Sequence, residues 1–461
     1  MSRYAHPAGP RHADLIPEGN PPGAPVDLNQ LDPRLWPLTA RRESGEMTIG
    51  GVGVAKLARE FGTPLFVVDE EDFRTRAREF RAAFSGADVY YAGKALLNTT
   101  VARWVAEEGL GLDVCSGGEL AVALASGFPA ERMGLHGNNK SESELVRAVE
   151  AGVGRIIVDS LTEIALLERI AADRDRVVDV MIRVTTGVEA HTHEFVATAH
   201  EDQKFGLSLV SGAAMRAVRD VLAAPHLNLT GLHSHIGSQI FDTAGFEVAA
   251  HRLTEFLATI HAQLGVVLPE LDLGGGLGVA YRPEDTPQET ASTAKRLTDI
   301  VSQECAARDL PVPRLAVEPG RAIVAQAGVT IYDVGTVKEV EGLRTYVSVD
   351  GGMSDNIRTA LYGADYTTVL ASRASDAPPM LSRLVGKHCE SGDIVVRDPY
   401  YPSDIDRGDL VAVAGTGAYC YSMANNYNHL PRPAMVAVRD GAARLMMRRE
   451  TEDDLLRLDV R

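Results

Sequence analysis

The sequence predicts an α/β protein in which a (β/α)8 TIM-type barrel is joined to a second, β-rich domain. Eight short apolar runs alternate with stretches of helical spacing between residues 88 and 318. Beyond residue 318 the pattern changes to strand-like segments that lack long helices between them. Strands that alternate with helices pair in parallel through right-handed crossovers. An open doubly wound sheet is the alternative fold, because barrel closure cannot be read from a sequence.

The barrel is predicted over residues 70–322. One of its helices follows Ser141, which with Glu144 forms the pattern of a capping box. The eight predicted strands cover roughly 240 residues, close to the ~250 typical of such barrels. They are Asp88–Tyr91, Gly111–Cys115, Met133–His136, Arg155–Asp159, Val178–Val184, Leu229–His233, Glu270–Leu273 and Arg314–Glu318.

The β-rich domain is predicted from residues 38–69 and 323–461, and a Pro- and Gly-rich arm from residues 1–37. Leu65–Val68 precedes the barrel as a further strand-like run. The later predicted strands are Gly328–Val337, Thr345–Val349, Asp393–Val396, Leu410–Ala414 and Ala434–Arg439.

Composition limits the classes of function. The chain has 461 residues and a formal net charge of −17, which disfavours a nucleic-acid partner. No apolar run approaches the roughly 20 residues that cross a bilayer. The four cysteines are widely spaced, as is typical of a reducing compartment. We therefore predict a cytoplasmic protein that binds neither nucleic acid nor a membrane.

Polar side chains follow several predicted barrel strands at the point where each strand ends. In a parallel barrel these ends meet at one face, where active sites lie. Lys94 follows the first run, and a lysine that emerges from a hydrophobic strand is suited to act as a Schiff-base amine. A solvated loop lysine is the alternative interpretation.

Two further groups favour an anionic ligand. Gly274–Gly276 follows the seventh run and lets backbone N–H groups approach an anion, although a tight turn has the same sequence. Glu318 and Arg321 end the eighth run with a carboxylate and a guanidinium. This pair suits a ligand that carries both a ring nitrogen and a phosphate, and a surface salt bridge is the alternative.

Two imidazoles end the sixth run. His233 and His235 are two residues apart, so in an extended strand they point to the same side. Metal ligation and stacking on a ring could both use them.

Seven separated motifs make the sequence resemble the fold-type III pyridoxal-phosphate decarboxylases, whose barrel is shared with alanine racemase. The resemblance covers residues 61–427 and is greatest to the diaminopimelate decarboxylases among them. The motifs are Tyr91–Ala95, Asp113–Glu119, His233–Gln239, Gly274–Gly276, Glu318–Arg321, Cys389–Asp393 and Gly417–Tyr419.

The resemblance implies that the cofactor is pyridoxal 5'-phosphate and that Lys94 binds its aldehyde as an imine. It implies that Glu318 holds the proton of the pyridine nitrogen, which favours decarboxylation over racemisation. His235 corresponds to the imidazole that packs on the ring. The positions that correspond to further cofactor contacts are Ser238, Gly276, Gly320, Arg321 and Tyr419.

The resemblance also implies the reaction, which is decarboxylation of meso-2,6-diaminopimelate to L-lysine and CO2, the last step of lysine biosynthesis. Cys389 corresponds to the proton donor of the family. The substrate-binding positions correspond to Glu390 for the distal ammonium group, to Arg321, Arg358 and Tyr362 for the distal carboxylate, and to Tyr419. Another basic amino acid, such as ornithine, arginine or lysine, is the alternative substrate.

Similar enzymes are homodimers in which the β-rich domain reaches the barrel of the partner, so the resemblance implies shared active sites. No metal is expected. A metal-dependent hydrolase is a remote alternative that would use His233 and His235 with His191, His193 and His200 of the polar segment 187–203, and it leaves Lys94 and Glu318 without roles. A protein that only carries the cofactor is a third alternative, disfavoured by Cys389, Glu390 and Tyr419.

Overall fold

The computed structural model describes residues 23–187, 204–341 and 344–460. These residues form two compact units. The barrel unit comprises Glu70–Gly328 and Gly417–Ser422, and the β-rich unit comprises the described residues up to Asp69, Val329–Thr416 and those from Met423 onward. Residues 1–22 of the predicted arm, and the three histidines of the polar segment, lie outside the described residues.

The strands, numbered in chain order, are β1 (Arg41–Glu43), β2 (Glu46–Ile49), β3 (Val52–Gly53), β4 (Leu65–Asp69), β5 (Asp88–Ala92), β6 (Gly111–Val114), β7 (Met133–Leu135), β8 (Arg155–Val158), β9 (Val178–Thr185), β10 (Leu207–Ser208), β11 (Leu227–His233), β12 (Glu270–Asp272), β13 (Arg314–Val317), β14 (Gly328–Val340), β15 (Arg344–Val349), β16 (Thr368–Leu370), β17 (Pro379–Val385), β18 (Ile394–Val396), β19 (Tyr400–Pro402), β20 (Leu410–Ala414), β21 (Ala434–Arg439) and β22 (Ala442–Met447). The helices, numbered in the same way, are α1 (Val54–Phe61), α2 (Glu70–Ala83), α3 (Thr99–Glu107), α4 (Gly117–Ala125), α5 (Glu142–Ala151), α6 (Leu161–Ala172), α7 (Ala213–Ala223), α8 (Ala244–Leu264), α9 (Thr290–Ala306), α10 (Arg321–Val324), α11 (Arg358–Tyr362) and α12 (Glu452–Leu456).

Eight parallel strands close into a barrel in the order β5-β6-β7-β8-β9-β11-β12-β13. The circle is completed where β13 pairs in parallel with β5, with Ala316 opposite Asp88. The predicted barrel is therefore confirmed, and each predicted run corresponds to one barrel strand. The short strand β10 is an addition to the prediction and pairs in parallel with β9.

Buried apolar strands and capped helices explain why the barrel forms from this sequence. The barrel strands β8 and β9 carry nearly continuous buried runs, as parallel strands covered on both faces do. Several barrel helices begin at a residue whose side chain accepts a backbone N–H, including Asn98, Ser116 and Ser160. The capping box predicted for Ser141 and Glu144 is present at the start of α5.

In the β-rich unit, β14 pairs with both β15 and β20, and β4 pairs in parallel with β21. The run Leu65–Val68 therefore contributes a strand to this unit. The sequence analysis did not predict β1, β2, β3, β16, β17, β19 and β22. Of these, β16 and β19 have three residues each, and β17 begins with Pro379 and lacks a clear alternation of apolar and polar residues. Such runs carry little strand signal.

Within the described part of the chain, no helix is long and apolar enough to cross a membrane.

Candidate active site

A cavity of about 170 Å³ lies at the carboxyl ends of the barrel strands. Lys94, from the turn that follows β5, lines it together with His235 and Glu318. The structure thus brings together side chains that lie more than 200 residues apart in the chain. Asp113, His136, Arg183 and His233 lie in the same lining.

Glu318 is held in the cavity between two imidazoles. Its Oε1 atom lies 3.0 Å from Nε2 of His233 and 3.3 Å from Nε2 of His136. The same His136 nitrogen lies 3.2 Å from Oδ1 of Asp113. Burial raises the pKa of Glu318, and the neighbouring His136 partly opposes this rise. A cationic group bound beside this carboxylate would therefore be strongly attracted to its ionised form.

The two imidazoles beside Glu318 are neutral near pH 7. Burial lowers the pKa of His136 to about 4, and it lowers the pKa of His233 well below its usual value. Their rings meet edge to face with centroids 5.1 Å apart. Because a neutral imidazole carries one N–H, each ring can donate one hydrogen bond.

A buried ion pair supports this cluster inside the barrel. Arg155, at the start of β8, lies 2.5 Å from Oδ2 of Asp272 at the end of β12. Its guanidinium also lies 3.8 Å from the ring centroid of Tyr90. Burial raises the pKa of Asp113, and Arg155 opposes that rise.

His235 follows β11 and has a defined tautomer. The backbone N–H of Gly275 donates to its Nδ1 over 3.2 Å. The remaining ring nitrogen, Nε2, therefore carries the proton of the neutral imidazole. Burial, followed by the charge of Lys94, lowers the pKa of His235 well below its usual value. A neutral flat ring of this kind can pack against another ring.

The loop that follows β12 comes close to neighbouring backbone. A side chain at Gly275 would place its Cβ 2.2 Å from the carbonyl oxygen of Glu318. At Gly276, where φ is +108°, a Cβ would lie 2.2 Å from the carbonyl oxygen of Gly237. Only glycine fits this packing, which keeps the loop backbone accessible to a ligand.

Arg321 places a cation beside the glycine loop. Its guanidinium donates to Oγ of Ser238 and to the hydroxyl of Tyr281, each over 2.8 Å. Its Nε atom is buried without a hydrogen-bond partner. A fixed guanidinium with a free buried donor is suited to an anionic oxygen. Gly320, just before it, packs so closely that a Cβ would lie 2.9 Å from the Cβ of Ala92.

Tyr419 groups with the barrel unit and not with the β-rich domain to which its sequence position assigned it. Its backbone N–H donates to the carbonyl oxygen of Ala95 over 2.8 Å. Its ring lies 4.7 Å from the Arg321 guanidinium carbon. Its φ of +63° lies in the left-handed region. The segment thus holds Tyr419 beside Arg321 at the same end of the barrel as Lys94.

The remaining predicted site residues lie in the β-rich unit. Arg358 begins α11, where it is buried and hydrogen-bonded to the hydroxyl of Tyr366, and Tyr362 ends the same helix. Cys389 and Glu390 are exposed and lie between β17 and β18.

The geometry of His136, His233 and Glu318 would also allow a metal ion. One ligand atom from each lies within 4.8 Å of the others. This set differs from the one in the hydrolase alternative, whose loop histidines lie outside the described residues.

Sequence reasoning missed the surroundings of Glu318. His136 was noted only as the end of a predicted strand, and Arg155 and Asp272 were not considered as site residues. A signal was present, because Arg155 is the one charged residue in the buried run of β8, and Asp272 lies between the apolar residues Leu271 and Leu273. Such residues in a barrel strand point to its interior or to its catalytic face.

The chain matches a known family model and full-length relatives. Residues 70–325 match the model described as "Pyridoxal-dependent decarboxylase, pyridoxal binding domain". A diaminopimelate decarboxylase of Mycobacterium tuberculosis is 61% identical over 445 residues, which cover 94% of this chain and 100% of the relative. A diaminopimelate decarboxylase of Bacillus subtilis is 46% identical over 424 residues, covering 91% of this chain and 96% of the relative.

A solved structure has the same fold. The diaminopimelate decarboxylase of M. jannaschii, in a complex with L-lysine, superimposes with a TM-score of 0.85 at 32% identity. The match covers 92% of this chain and 98% of that chain.

Proposed function

The chain belongs to the pyridoxal-dependent decarboxylase family, and from that premise we propose that it converts meso-2,6-diaminopimelate to L-lysine and CO2, the last step of lysine biosynthesis. The observation that carries the proposal is the meeting of Lys94, His235 and Glu318 in one cavity at the catalytic face of the barrel. Relatives that share this function are similar over almost their full length.

The residues of the cavity fit pyridoxal 5'-phosphate. Oε1 of Glu318 lies near the Nε2 atoms of His136 and His233 but makes no hydrogen bond in the structure. This buried carboxylate oxygen can therefore accept the N–H of a protonated ring nitrogen. The glycine loop and Arg321, which follow β12 and β13 and lie outside the lining of this cavity, form a setting for a phosphate. The residues that would hold the cofactor are Lys94, His235, Ser238, Gly276, Glu318, Gly320, Arg321 and Tyr419. When bound, the cofactor supplies an electron sink that stabilises the negative charge left on Cα by departing CO2.

The roles of the barrel residues follow from their geometry. The amine of Lys94 would bind the cofactor aldehyde and give way to the substrate amine. Glu318 would hold a proton on the ring nitrogen, because two neutral imidazoles keep its carboxylate facing the cavity. His235 would pack on the ring, and its neutral state avoids placing a second cation beside the protonated ring.

The roles of residues in the β-rich unit complete the proposal. Cys389 would return a proton to Cα from its thiol after CO2 has left. Glu390 would bind the distal ammonium group of the substrate. Arg358 and Tyr362, with Arg321, would bind its distal carboxylate, and Tyr419 would supply a further substrate contact. A planar guanidinium is suited to a carboxylate because it can form two parallel hydrogen bonds.

We further propose that the enzyme is a cytoplasmic homodimer with shared active sites. Each site would combine the barrel of one protomer with Cys389 and Glu390 of its partner. The four cysteines all lie in the described residues and are free thiols, as the proposal requires for Cys389 and as is typical of a reducing compartment.

The proposed function is tested by assaying the purified, cofactor-supplemented protein for CO2 and L-lysine. We expect meso-diaminopimelate to be consumed in preference to ornithine, arginine and lysine. The Lys94→Ala variant should lose both the yellow absorbance of the bound cofactor and its fixation by borohydride. If the enzyme prefers ornithine, ornithine replaces diaminopimelate as the proposed substrate. If the protein binds the cofactor but releases CO2 from none of the four amino acids, the enzymatic assignment is overturned.

A further inference from the structure

Asn428 holds the backbone of Cys389 through one atom. Its carboxamide oxygen accepts the N–H of Cys389 over 3.1 Å and lies 3.2 Å from Nδ1 of His388. Asn428 has φ +52° and ψ +24°, a left-handed conformation that asparagine adopts more readily than most residues. The chain thus uses an uncommon backbone conformation to direct this side chain.

The contacts of Asn428 define the tautomer of His388. An amide oxygen can only accept, so Nδ1 of His388 must donate to it. The other nitrogen, Nε2, then accepts from Ser354, whose N–H lies at 3.3 Å and whose hydroxyl lies at 2.9 Å. The opposite orientation of the Asn428 amide would place its NH2 against the N–H of Cys389, so the arrangement is self-consistent.

The His388 ring is also held by packing. It is buried, and it stacks on Tyr427 with ring centroids 5.4 Å apart and planes 25° apart. Tyr427 directly precedes Asn428, so one short segment supplies both the stacking ring and the acceptor oxygen.

Asp393 anchors the same peptide from the other side. Its carboxylate accepts the N–H of His388 over 2.8 Å and that of Met353 over 2.6 Å. Glycine is required next to it, because a Cβ at Gly386 would lie 2.3 Å from the carboxylate. The two residues 388 and 389 are therefore held by successive backbone hydrogen bonds to two different side chains.

An exposed thiol needs such an anchor if it is to deliver a proton to one carbon atom. Cys389, Glu390 and Ser391 are all exposed in the single chain, so little packing within that chain fixes this loop. Misplacement of a reacting group by about 1 Å can cost on the order of 100-fold in rate.

We propose that Asn428 is a positioning residue for Cys389, and that it acts together with the Nδ1-protonated ring of His388. The inference rests on the proposed function, in which the Cys389 thiol returns a proton to substrate. Asn428 itself touches neither substrate nor cofactor in this role.

The test compares Asn428→Gly with Asn428→Asp. Glycine accepts the left-handed backbone but lacks the oxygen, whereas aspartate keeps an acceptor at the same place. Asn426→Ala is the matched control, because Asn426 lies in the same loop and bonds to Leu430 and Glu450 and not to Cys389. All are studied as holoenzymes of the full chain.

Two readouts do not depend on turnover. Hydrogen exchange of the peptide that contains the Cys389 amide should accelerate at least 10-fold in Asn428→Gly and remain slow in Asn428→Asp and Asn426→Ala. Alkylation of Cys389 by iodoacetamide, followed by peptide mass spectrometry, is compared at its high-pH plateau. That plateau is independent of the thiol pKa, and the rate of Cys389 alkylation in Asn426→Ala serves as the reference. We expect the rate of Cys389 alkylation to change several-fold in Asn428→Gly and in neither of the other two variants.

Turnover completes the test. In Asn428→Gly, kcat should fall about 10-fold or more, while KM and cofactor absorbance stay within twofold of wild type. In Asn428→Asp, kcat should lie within about threefold of the wild-type value. The inference would be overturned if hydrogen exchange, alkylation and kcat were all unchanged in Asn428→Gly. It would also be overturned if kcat fell equally in Asn426→Ala. If the wild-type protein releases no CO2 from diaminopimelate, the proposed function fails, while exchange and alkylation still decide whether Asn428 holds Cys389.

Discussion

At the scale of single residues, desolvation sets the charge of the groups around the cavity. His233 is buried, and His136 and His235 are partly buried. Desolvation lowers the pKa of all three, so they are neutral near pH 7. Glu318 lies among these neutral rings, and its pKa is raised by burial. A positive ring nitrogen placed beside Glu318 would stabilise its ionised form, so binding of the cationic group and ionisation of the carboxylate favour each other.

Arg358 provides a test of substrate recognition. Arg358→Leu should lower kcat/KM for meso-diaminopimelate by at least 100-fold, because a buried leucine cannot pair with a carboxylate. Cofactor affinity, measured by absorbance titration, should stay within about twofold. Tyr366→Phe is the control, since it removes only the hydroxyl that contacts Arg358 and should lose far less activity. Equal loss of substrate use and cofactor binding in Arg358→Leu would show that the arginine is structural.

Asp355 provides a test of stability against pH. Burial raises its pKa from 3.8 to about 7, although its hydrogen bond with Tyr332 opposes the rise. Because the folded state binds the proton more tightly than the unfolded state, its contribution to stability falls as the pH rises from 3.8 to 7.

Asp355→Asn should remove this dependence. Its amide can still accept the N–H of Gly352, which lies 2.9 Å from the carboxylate, and can donate to Tyr332. The free energy of unfolding, measured with urea at pH 5, 6, 7 and 8, should therefore rise in the variant relative to wild type up to about pH 7. If the free energies of unfolding of the variant and wild type differ by the same amount at every pH, the raised pKa of Asp355 is contradicted.

At the scale of secondary-structure elements, an ion pair joins two strands across the barrel interior. Arg155 on β8 and Asp272 on β12 are both buried, and Asp272 also accepts the N–H of Gly274. The pair therefore links the start of β8 to the end of β12 and to the glycine loop that follows it.

Breaking this pair from one side should destabilise the barrel. Arg155→Met leaves Asp272 buried without its cation, and we expect a loss of ~3–5 kcal/mol in the free energy of unfolding. The double variant Arg155→Met with Asp272→Asn should recover part of that loss, because asparagine keeps an acceptor for Gly274 without a charge. Urea unfolding measures the free energy of unfolding of both variants. If the double variant is no more stable than Arg155→Met, the loss of stability comes from packing.

The glycine loop after β12 provides a second test at this scale. Gly276→Ala should weaken binding of pyridoxal phosphate by at least 10-fold, because its Cβ would collide with the carbonyl oxygen of Gly237. Gly212→Ala is the control, since Gly212 also has a positive φ but open space around its Cβ position. Absorbance titration of cofactor-free protein measures the affinity of each variant for pyridoxal phosphate. Equal affinities in Gly276→Ala and Gly212→Ala would exclude the loop from phosphate binding.

At the scale of the whole molecule, the proposed sharing of sites has a quantitative consequence. Lys94→Ala and Cys389→Ala homodimers are each expected to be inactive. If equal amounts exchange subunits at random, about half of the dimers are mixed, and one of the two pockets in each regains both groups. Activity should therefore return to about a quarter of wild type. Mixed dimers verified by mass spectrometry that show no recovery would contradict shared sites.

Much of the fold could be predicted because periodicity is a local signal. The eight barrel strands and the strands β14, β15, β18, β20 and β21 were all predicted close to their observed bounds. Most of the strands that were missed have two to four residues, and the longer β17 and β22 lack a clear alternation of apolar and polar residues. Their pairing with neighbours, and not their own residues, makes them strands. Lys94, His235 and Glu318 were predicted together because all three end barrel strands.

The sequence by itself determined the order of strands and helices, the change to a β-rich unit, and the chemical character of the strand ends, since each depends on residues close together in the chain. Only the tertiary structure decided that β13 pairs with β5 to close the barrel and that Tyr419 lies beside Arg321 in the barrel unit. It also decided that two imidazoles enclose Glu318 and that Asn428 holds Cys389. These last features depend on atoms brought within about 3 Å by the packing of distant segments, and no local pattern encodes such distances.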